Sequence, residues 1–495
     1  MRYFRKLWLV CLSVAAASRV MAQPPPPAPP LSPPQPEQPA PPQAPPANWA
    51  PPPPGDTSPE SNPSPAPQPT APQPQAGSPV AEPGAPIVTG PPTPPYPPTP
   101  EQPPSAEPPE QVAPPPAPDE LQSELEIYGF AMLDIGYDFG KIGDPLWEDV
   151  ERPTKLEAFP NEFGRGGRTF VSVRQSRFGV KGTTPTSAGE IKTQFEFELF
   201  GVGVDAGQTT FRLRHAFGEW RHIIAGQTWS PFMDPDVFPN SIEYWGPNGM
   251  VFYRTVHIEY RPWTQDKSYA TISLEKPGGS ADQGNFADRD DLQNVVPRFP
   301  APDVTGNVHF AGPWGHVQLA AIFRYLKWDD LAPSPVIQGH AYGWGVNLST
   351  NLKLGPTILK LQGVYGNAIA NYMNDATFDV GPKASNNPAQ PVQGEAIPLL
   401  GIVAFLDIDW NKCLTSTVGW SYVHMWNTAE QTPDAFHVGH YALANLLVHP
   451  SKQLFFGAEF QFGRRENNSD GFTVNDYRAQ FSIQYKFSQS IGGVK

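Results

Sequence analysis

Two stretches of this chain alternate so strictly between polar and apolar residues that only a β-strand satisfies them. In 190–200 the polar set is Glu190, Lys192, Gln194, Glu196 and Glu198, and between them stand Ile191, Thr193, Phe195, Phe197 and Leu199. In 477–487 one face is Tyr477, Ala479, Phe481, Ile483, Tyr485 and Phe487, and the other is Arg478, Gln480, Ser482, Gln484 and Lys486. Successive side chains of a strand point to opposite faces, so each stretch has one apolar face and one charged or amide-bearing face. Residues 454–462 and 316–325 repeat the pattern less perfectly.

Extended along the chain, the same reading predicts sixteen strands: 125–138, 169–182, 189–200, 209–217, 221–229, 251–261, 268–275, 303–312, 315–327, 340–354, 357–369, 399–410, 414–427, 436–449, 452–464 and 473–487. The connections between them run long, short, long, short almost throughout. A soluble sandwich has no reason to keep its short turns at one end. A transmembrane barrel does, because short turns face the periplasm and long loops face outside. A closed barrel satisfies every backbone donor within lipid and needs only alternate side chains to be apolar, which explains a polar average composition. The expected fold class is therefore all-β, a transmembrane antiparallel β-barrel of about sixteen strands. Tyr128, Tyr137, Trp220, Trp229, Tyr260, Trp314, Trp328, Trp410, Trp426 and Tyr485 lie near strand ends and are expected in interfacial girdles. Proline, which cannot donate to a ladder, falls outside all sixteen predicted strands.

Ahead of the barrel the composition changes. Of 66 Pro, 43 lie between Pro24 and Pro118, a density at which neither helix nor interior strand survives. This segment is expected to be a disordered periplasmic arm. Before it, a basic start (Arg2, Arg5, Lys6) leads into the apolar run Leu7–Ala17 and then Val20, Met21 and Ala22, the pattern of a signal peptide cleaved after Ala22. The expected organisation is 1–22 signal peptide, 23–118 Pro-rich segment and 119–495 outer-membrane barrel. Only Cys413 would remain in the mature chain, so no internal disulfide or Cys-rich metal site is available. The formal net charge of −14 excludes a nucleic-acid binder, whose affinity rests on Lys and Arg neutralising phosphates.

At Arg174-Gln-Ser-Arg-Phe-Gly179, Thr183-Thr-Pro-Thr186, Gly189-Glu190, Glu196-Phe-Glu-Leu-Phe-Gly201, Phe211-Arg-Leu-Arg-His-Ala-Phe217, Ala225-Gly-Gln-Thr-Trp-Ser230, Phe232-Met-Asp234 and Gly246-Pro247 the sequence closely resembles the DcaP-like outer-membrane porins. The resemblance implies a homotrimeric sixteen-stranded channel of the Gram-negative outer membrane, passing small organic anions including dicarboxylates. Two features depart from the family pattern. A Pro-rich tract stands where a periplasmic coiled coil is expected, and Phe487, the aromatic residue expected to end the barrel, is followed by Ser488–Lys495.

Sixteen strands enclose a water-filled lumen, so function depends on what charges and narrows it. Glu196 and Glu198 share the luminal face of the third strand with Glu190 and Lys192. Arg212 and Arg214 alternate with Phe211, Leu213 and Phe217 and so point inward from the fourth. Arg174 and Arg177 are three apart, on opposite faces of a regular strand, unless a bulge near Gln175 re-aims one or one sits at the periplasmic rim. Fixed guanidiniums opposite carboxylates can bind carboxylate solutes in bidentate fashion; alternatively, these charges pair and brace the wall. The third long connection, Ser230–Met250, is rigid and partly apolar and carries Asp234 and Asp236. The resemblance to trimeric porins, whose corresponding loop folds inward, implies that it sets the constriction, the alternative being an external loop packed on its neighbours. Neither these acids nor Asp288, Asp290 and Asp291 have the dense oxygen set of a calcium loop, so no metal or cofactor is expected. His215, His257, His424 and His440 single out no nucleophile, so no enzymatic activity is expected. A second reading is structural, with the Pro-rich arm tethering the outer membrane to peptidoglycan or a periplasmic protein.

Overall fold

The computed structural model describes residues 123–492 apart from 144–145, 333–336 and 388. The expected signal peptide and Pro-rich arm lie outside the described residues. Sixteen strands form the wall: β1 (Glu124–Asp138), β2 (Arg168–Ser172 continued by Arg177–Thr186), β3 (Gly189–Phe200), β4 (Thr209–Trp220), β5 (Ile223–Trp229), β6 (Arg254–Gln265), β7 (Ser268–Glu275), β8 (Asp303–Gly312), β9 (Gly315–Asp330), β10 (Gly339–Leu354), β11 (Thr357–Asn367), β12 (Pro398–Asn411), β13 (Leu414–Met425), β14 (Phe436–Ser451), β15 (Leu454–Asn467) and β16 (Thr473–Gly492). Each pairs antiparallel with its neighbours, and β1 closes the ring by pairing with both β2 and β16. A four-residue strand, Val295–Arg298, extends the sheet above β9, and Val380–Ala384 pairs with Val392–Ala396 in a loop hairpin.

All sixteen predicted strands are present. One rim carries seven two-residue turns and the other the long connections. Two of the turns place Arg221 and Asp266 at φ 54° and 53°, the left-handed conformation that tight hairpins require. Several strands run further at one end or the other than the pattern predicts, and they take in prolines. Pro398 opens β12, Pro185 stands beside a turn, and Pro262 and Pro450 fall in register shifts of β6 and β14. At such places the ladder does not need the missing N–H, so proline is tolerated inside the strand. The last strand also continues beyond Phe487: Ser488–Gly492 pairs with Glu124–Tyr128, so these residues extend the wall rather than form a tail.

The burial pattern is inverted relative to a soluble protein. Ile258, Leu274, Phe310, Leu319, Phe323, Leu348 and Phe481 are exposed, whereas Glu259, Ser273, Gln318, Asn347, Ser349, Gln480 and Ser482 on the same strands are buried. Apolar surface faces outward in a continuous band, as lipid demands. Seven of the ten expected girdle aromatics are exposed outside; Tyr128, Trp229 and Trp328 instead pack within.

Candidate constriction and solute site

The third long connection, residues 230–253, enters the lumen and is hydrogen-bonded around most of the wall. Pro231 O accepts from Asn307 of β8 (2.9 Å), Met233 O from Gln318 of β9 (3.0 Å) and Phe232 O from Asn347 of β10 (2.9 Å). Lys360 of β11 donates to Phe238 O, and Asn445 of β14 to Asn240 O (2.8 Å). The Ile242 and Glu243 amides donate to Glu459 of β15 (2.9 and 3.1 Å). Ile242 O then accepts from Gln175 (2.8 Å) and Gln480 (3.2 Å), which reach it from β2 and β16. Phe232, Met233, Val237, Met250 and Val251 pack on Ile322, Val364, Val403, Phe405, Val423 and Tyr441 of the wall and on Ile369, Tyr372 and Met373 of the connection 368–397. This apolar packing lies on the β9–β14 side of the lumen, and the connection folds inward as the resemblance to trimeric porins implies.

Of the loop's two acids, Asp234 is buried and accepts from His316 Nε2 (2.7 Å) and Ser349 Oγ (2.6 Å), while Asp236 is exposed. Burial opposes ionisation of Asp234, but the hydrogen bond and charge of His316 outweigh it and hold the carboxyl below its ordinary pKa. Glu243 is displaced the other way. Its burial raises the pKa despite N–H groups of Gly246, Trp245 and Glu151 donating to it. Burial and the charge of Glu198 likewise push the Tyr244 hydroxyl up.

A basic cluster lies on β2, β3, β4 and β6. Arg214 spans both carboxylates, with Nε 2.7 Å from Glu196 and Nη1 hydrogen-bonded to Glu198. Arg177 is 3.5 Å from Glu196, and Arg212 and Arg254 are 3.5 and 3.7 Å from Glu198. Tyr128 donates to Glu196 (2.8 Å) and Tyr244, from the inward loop, to Glu198 (2.5 Å). Four guanidiniums thus share two carboxylates. Arg177 Nε, Arg212 Nη1 and Arg254 Nη1 are themselves buried and have no hydrogen-bond partner among the described residues. The Arg177 and Arg212 side chains keep 27% and 25% of their exposure, whereas Arg214 keeps 5%. Aromatic faces back the cluster: Trp147 lies under Arg212, and Trp229 under Arg214 and Arg254.

The regular alternation is broken at two places here. Ser176 N donates to Val173 O (2.9 Å) in a turn between the segments of β2, and this brings both Arg174 and Arg177 inside. Arg174 is nonetheless occupied, since it pairs with Asp149 and donates to Leu146 O (2.9 Å), so it braces the first long connection. In β4 the register shifts so that Glu196 faces His215 and Phe197 faces Leu213. Arg214 and His215 are therefore both buried inside, and Phe217, expected outside, shares the inner face with Gln194. Arg254, Tyr128, Tyr244 and Trp147 belong to the site but were missed by sequence reasoning. Arg254 alone had a local signal, being a cation inside the predicted strand 251–261, which in the structure begins at this residue. On the short-turn side, a cavity of about 610 Å³ adjoins the cluster, lined by Tyr128, Phe130, Arg177, Glu196, Lys452 and Lys486 among others.

A closed wall, apolar outside and charged within, narrowed by an inward loop, defines the class of outer-membrane channels. The chain belongs to the DcaP outer membrane protein family, whose model matches residues 118–475. Among solved structures it is similar to the outer membrane channel DcaP of Acinetobacter baumannii, with 17% identity over 74% of this chain and 97% of that one and a TM-score of 0.63. More distant similarities include an anion-selective porin from Comamonas acidovorans (11% identity, 74% and 100% covered, TM-score 0.46) and OmpT of Vibrio cholerae (11%, 74% and 98%, TM-score 0.45). A search of curated proteins found no match. The protein is a porin of the Gram-negative outer membrane, and the short-turn rim accordingly faces the periplasm.

Proposed function

We propose that this porin passes small hydrophilic solutes with a preference for organic anions, dicarboxylates among them. The observation that carries the proposal is the surplus of positive charge where Arg177, Arg212, Arg214 and Arg254 share Glu196 and Glu198. Arg214 and the two carboxylates hold the frame, and the partly exposed Arg177 and Arg212 offer N–H groups to a carboxylate. A guanidinium presents its donors in a planar fork that matches a carboxylate, so capture costs little rearrangement. Arg174 braces a loop, Asp234 anchors the inward connection, and Asp236 adds a negative group away from that frame. The acidic net charge of the whole chain does not oppose this, because local charge at the narrow region governs the field a solute meets. In planar bilayers under a potassium chloride gradient, the reversal potential is expected to carry the sign of anion selectivity. A cation-selective sign sinks the proposal.

We further infer a homotrimer packed through β5–β8. With seven residues in β5, a rise of about 3.3 Å and a tilt of about 40° give a height of roughly 18 Å, short of the ~25 Å apolar band. A neighbouring subunit covers that deficit better than lipid does, and Val256, Ile258, Ile272 and Leu274 offer it an exposed apolar face. Light scattering of the detergent-purified protein should give three chains per particle, and Ile258→Arg should reduce it to one. A monomeric wild type contradicts the inference.

A further inference from the structure

At the long-loop rim, three carboxylates from three parts of the chain meet inside the wall. Asp138 is the last residue of β1, Asp476 lies near the start of β16, and Glu151 comes from the first long connection. All three are 1% exposed. Each contributes a carboxylate oxygen to a group whose members lie within 4.8 Å of one another. Oxygens held about 2.4 Å from a shared ion would lie at most about 4.8 Å apart, so the cluster has the dimensions of a calcium coordination sphere.

A second observation is independent of this proximity. Glu151 is completely buried, yet neither of its carboxylate oxygens has a hydrogen-bond partner among the described residues, and the same holds for Asp138 Oδ1 and Asp476 Oδ2. Four orphaned acceptor oxygens in one place carry a desolvation penalty that the charge of Arg478 offsets only in part. Arg478 does not resolve it. Its Nη2 donates to Asp138 Oδ2 (2.7 Å) and Glu148 O (3.1 Å), but its Nε is 3.9 Å from Glu151 Oε2, beyond hydrogen-bond reach. Gly463 of β15 makes room for the carboxylate, since a Cβ there would lie 2.0 Å from Glu151 Oε1. With all three carboxyls ionised, they and the one guanidinium leave two negative charges, which one divalent cation neutralises.

We propose that Asp138, Glu151 and Asp476 bind a calcium ion that fastens the first long connection to the β1–β16 seam. Calcium fits better than magnesium, since it accepts an irregular set of protein oxygens and gives up its water more readily. Fastening matters because the same connection carries Trp147 and Asp149, which lie against Arg212 and Arg174. The ion would act on the frame of the constriction without touching the solute.

The test uses the full chain, purified in detergent, stripped with chelator and titrated with calcium chloride by calorimetry. One saturable site per chain is expected, weakened at least tenfold in Glu151→Gln and in Asp476→Asn and unchanged in Glu148→Gln. Tryptic cleavage within the connection, at Lys141, Lys155 or Arg165, should slow at least tenfold with calcium relative to sodium at equal ionic strength. The cleavage assay needs only wild-type protein and stands if a variant misfolds. No saturable uptake up to about 10 mM, roughly tenfold beyond the weak end for extracellular calcium modules, overturns the proposal. Uptake indifferent to Glu151→Gln, or cleavage indifferent to calcium, overturns it too, and the orphaned oxygens are then satisfied by protons.

Discussion

Neutralising Arg177 and Arg212 together as Gln tests whether their charge sets selectivity. The four guanidiniums and two carboxylates of the cluster leave two positive charges, and the double substitution removes both. A unit charge about 4 Å from a passing anion contributes about 1 kcal/mol in water-like surroundings and about 4 kcal/mol where the effective dielectric is nearer 20. The exposed parts of Arg177 and Arg212 border a wet lumen, so the smaller value applies. Two charges then give about 2 kcal/mol, or roughly a 30-fold fall in the occupancy of a monovalent anion, and because a cation gains at the same time, the preference for anion over cation falls by at least that factor. A dicarboxylate feels each charge twice and should lose more, whereas a neutral sugar should pass unchanged. Reversal potentials are best read near 0.1 M salt, where the screening length is about 10 Å; near 1 M it is about 3 Å and the effect should shrink. The converse substitution, Glu198→Gln, should raise anion preference while destabilising the barrel by about 3–5 kcal/mol, because it strips a buried partner from three guanidiniums. If the double variant keeps the wild-type ratio at 0.1 M salt, the cluster does not govern selectivity.

Replacing Asp234 by Asn removes the charge that His316 and Ser349 hold and should cost about 1.5–3 kcal/mol at pH 7, read from urea unfolding in lipid. The folded carboxyl has a pKa below its ordinary 3.8, so the contribution is present above that value and is lost as the pH falls through the lower, folded one; a wild-type advantage that does not shrink as the pH is lowered below 3.8 contradicts the assignment. A Cβ on Gly249 would stand 2.0 Å from the backbone oxygen of Tyr422, so Gly249→Ala should unseat the inward connection and raise single-channel conductance. Unaltered conductance would mean that the connection does not narrow the pore. Deleting 24–118 should reduce co-sedimentation with cell wall and leave conductance unchanged if the arm is a tether; equal sedimentation removes that reading.

The wall was legible because lipid outside and water inside impose a period of two on every strand, and a hydrophobic residue such as Phe195 or Phe481 marks its face without help from neighbours. The interior was legible only where that period holds. Glu196, Glu198 and Arg212 were placed correctly, but Phe217 was not, because the shift at Arg214 and His215 reverses the faces beyond it. No local pattern distinguishes such a shift from a strand that continues regularly. Trp147, Asp149 and Tyr244 were invisible for a different reason. They lie in connections and reach the site through contacts with residues distant in sequence, as Tyr244 does with Glu198 across 46 positions. The pairing of Arg174 with Asp149 likewise depends on how a loop folds back, which composition does not specify.

The carbonyl of Ile242 is shared by Gln175 and Gln480, and both of these amides, with Ser482, also bind Asp134 at the middle of β1. Those partners lie on β2 and β16, the two strands that β1 joins to make a ring of a sheet. Until the first and last strands have met, the donors that seat the middle of the inward connection are on opposite edges of an open sheet. Seating of the constriction is therefore a late event in assembly, coupled to the sealing of the cylinder. The loop acts as its latch: a barrel caught with its seam open has no finished pore, and a finished pore holds its own seam shut.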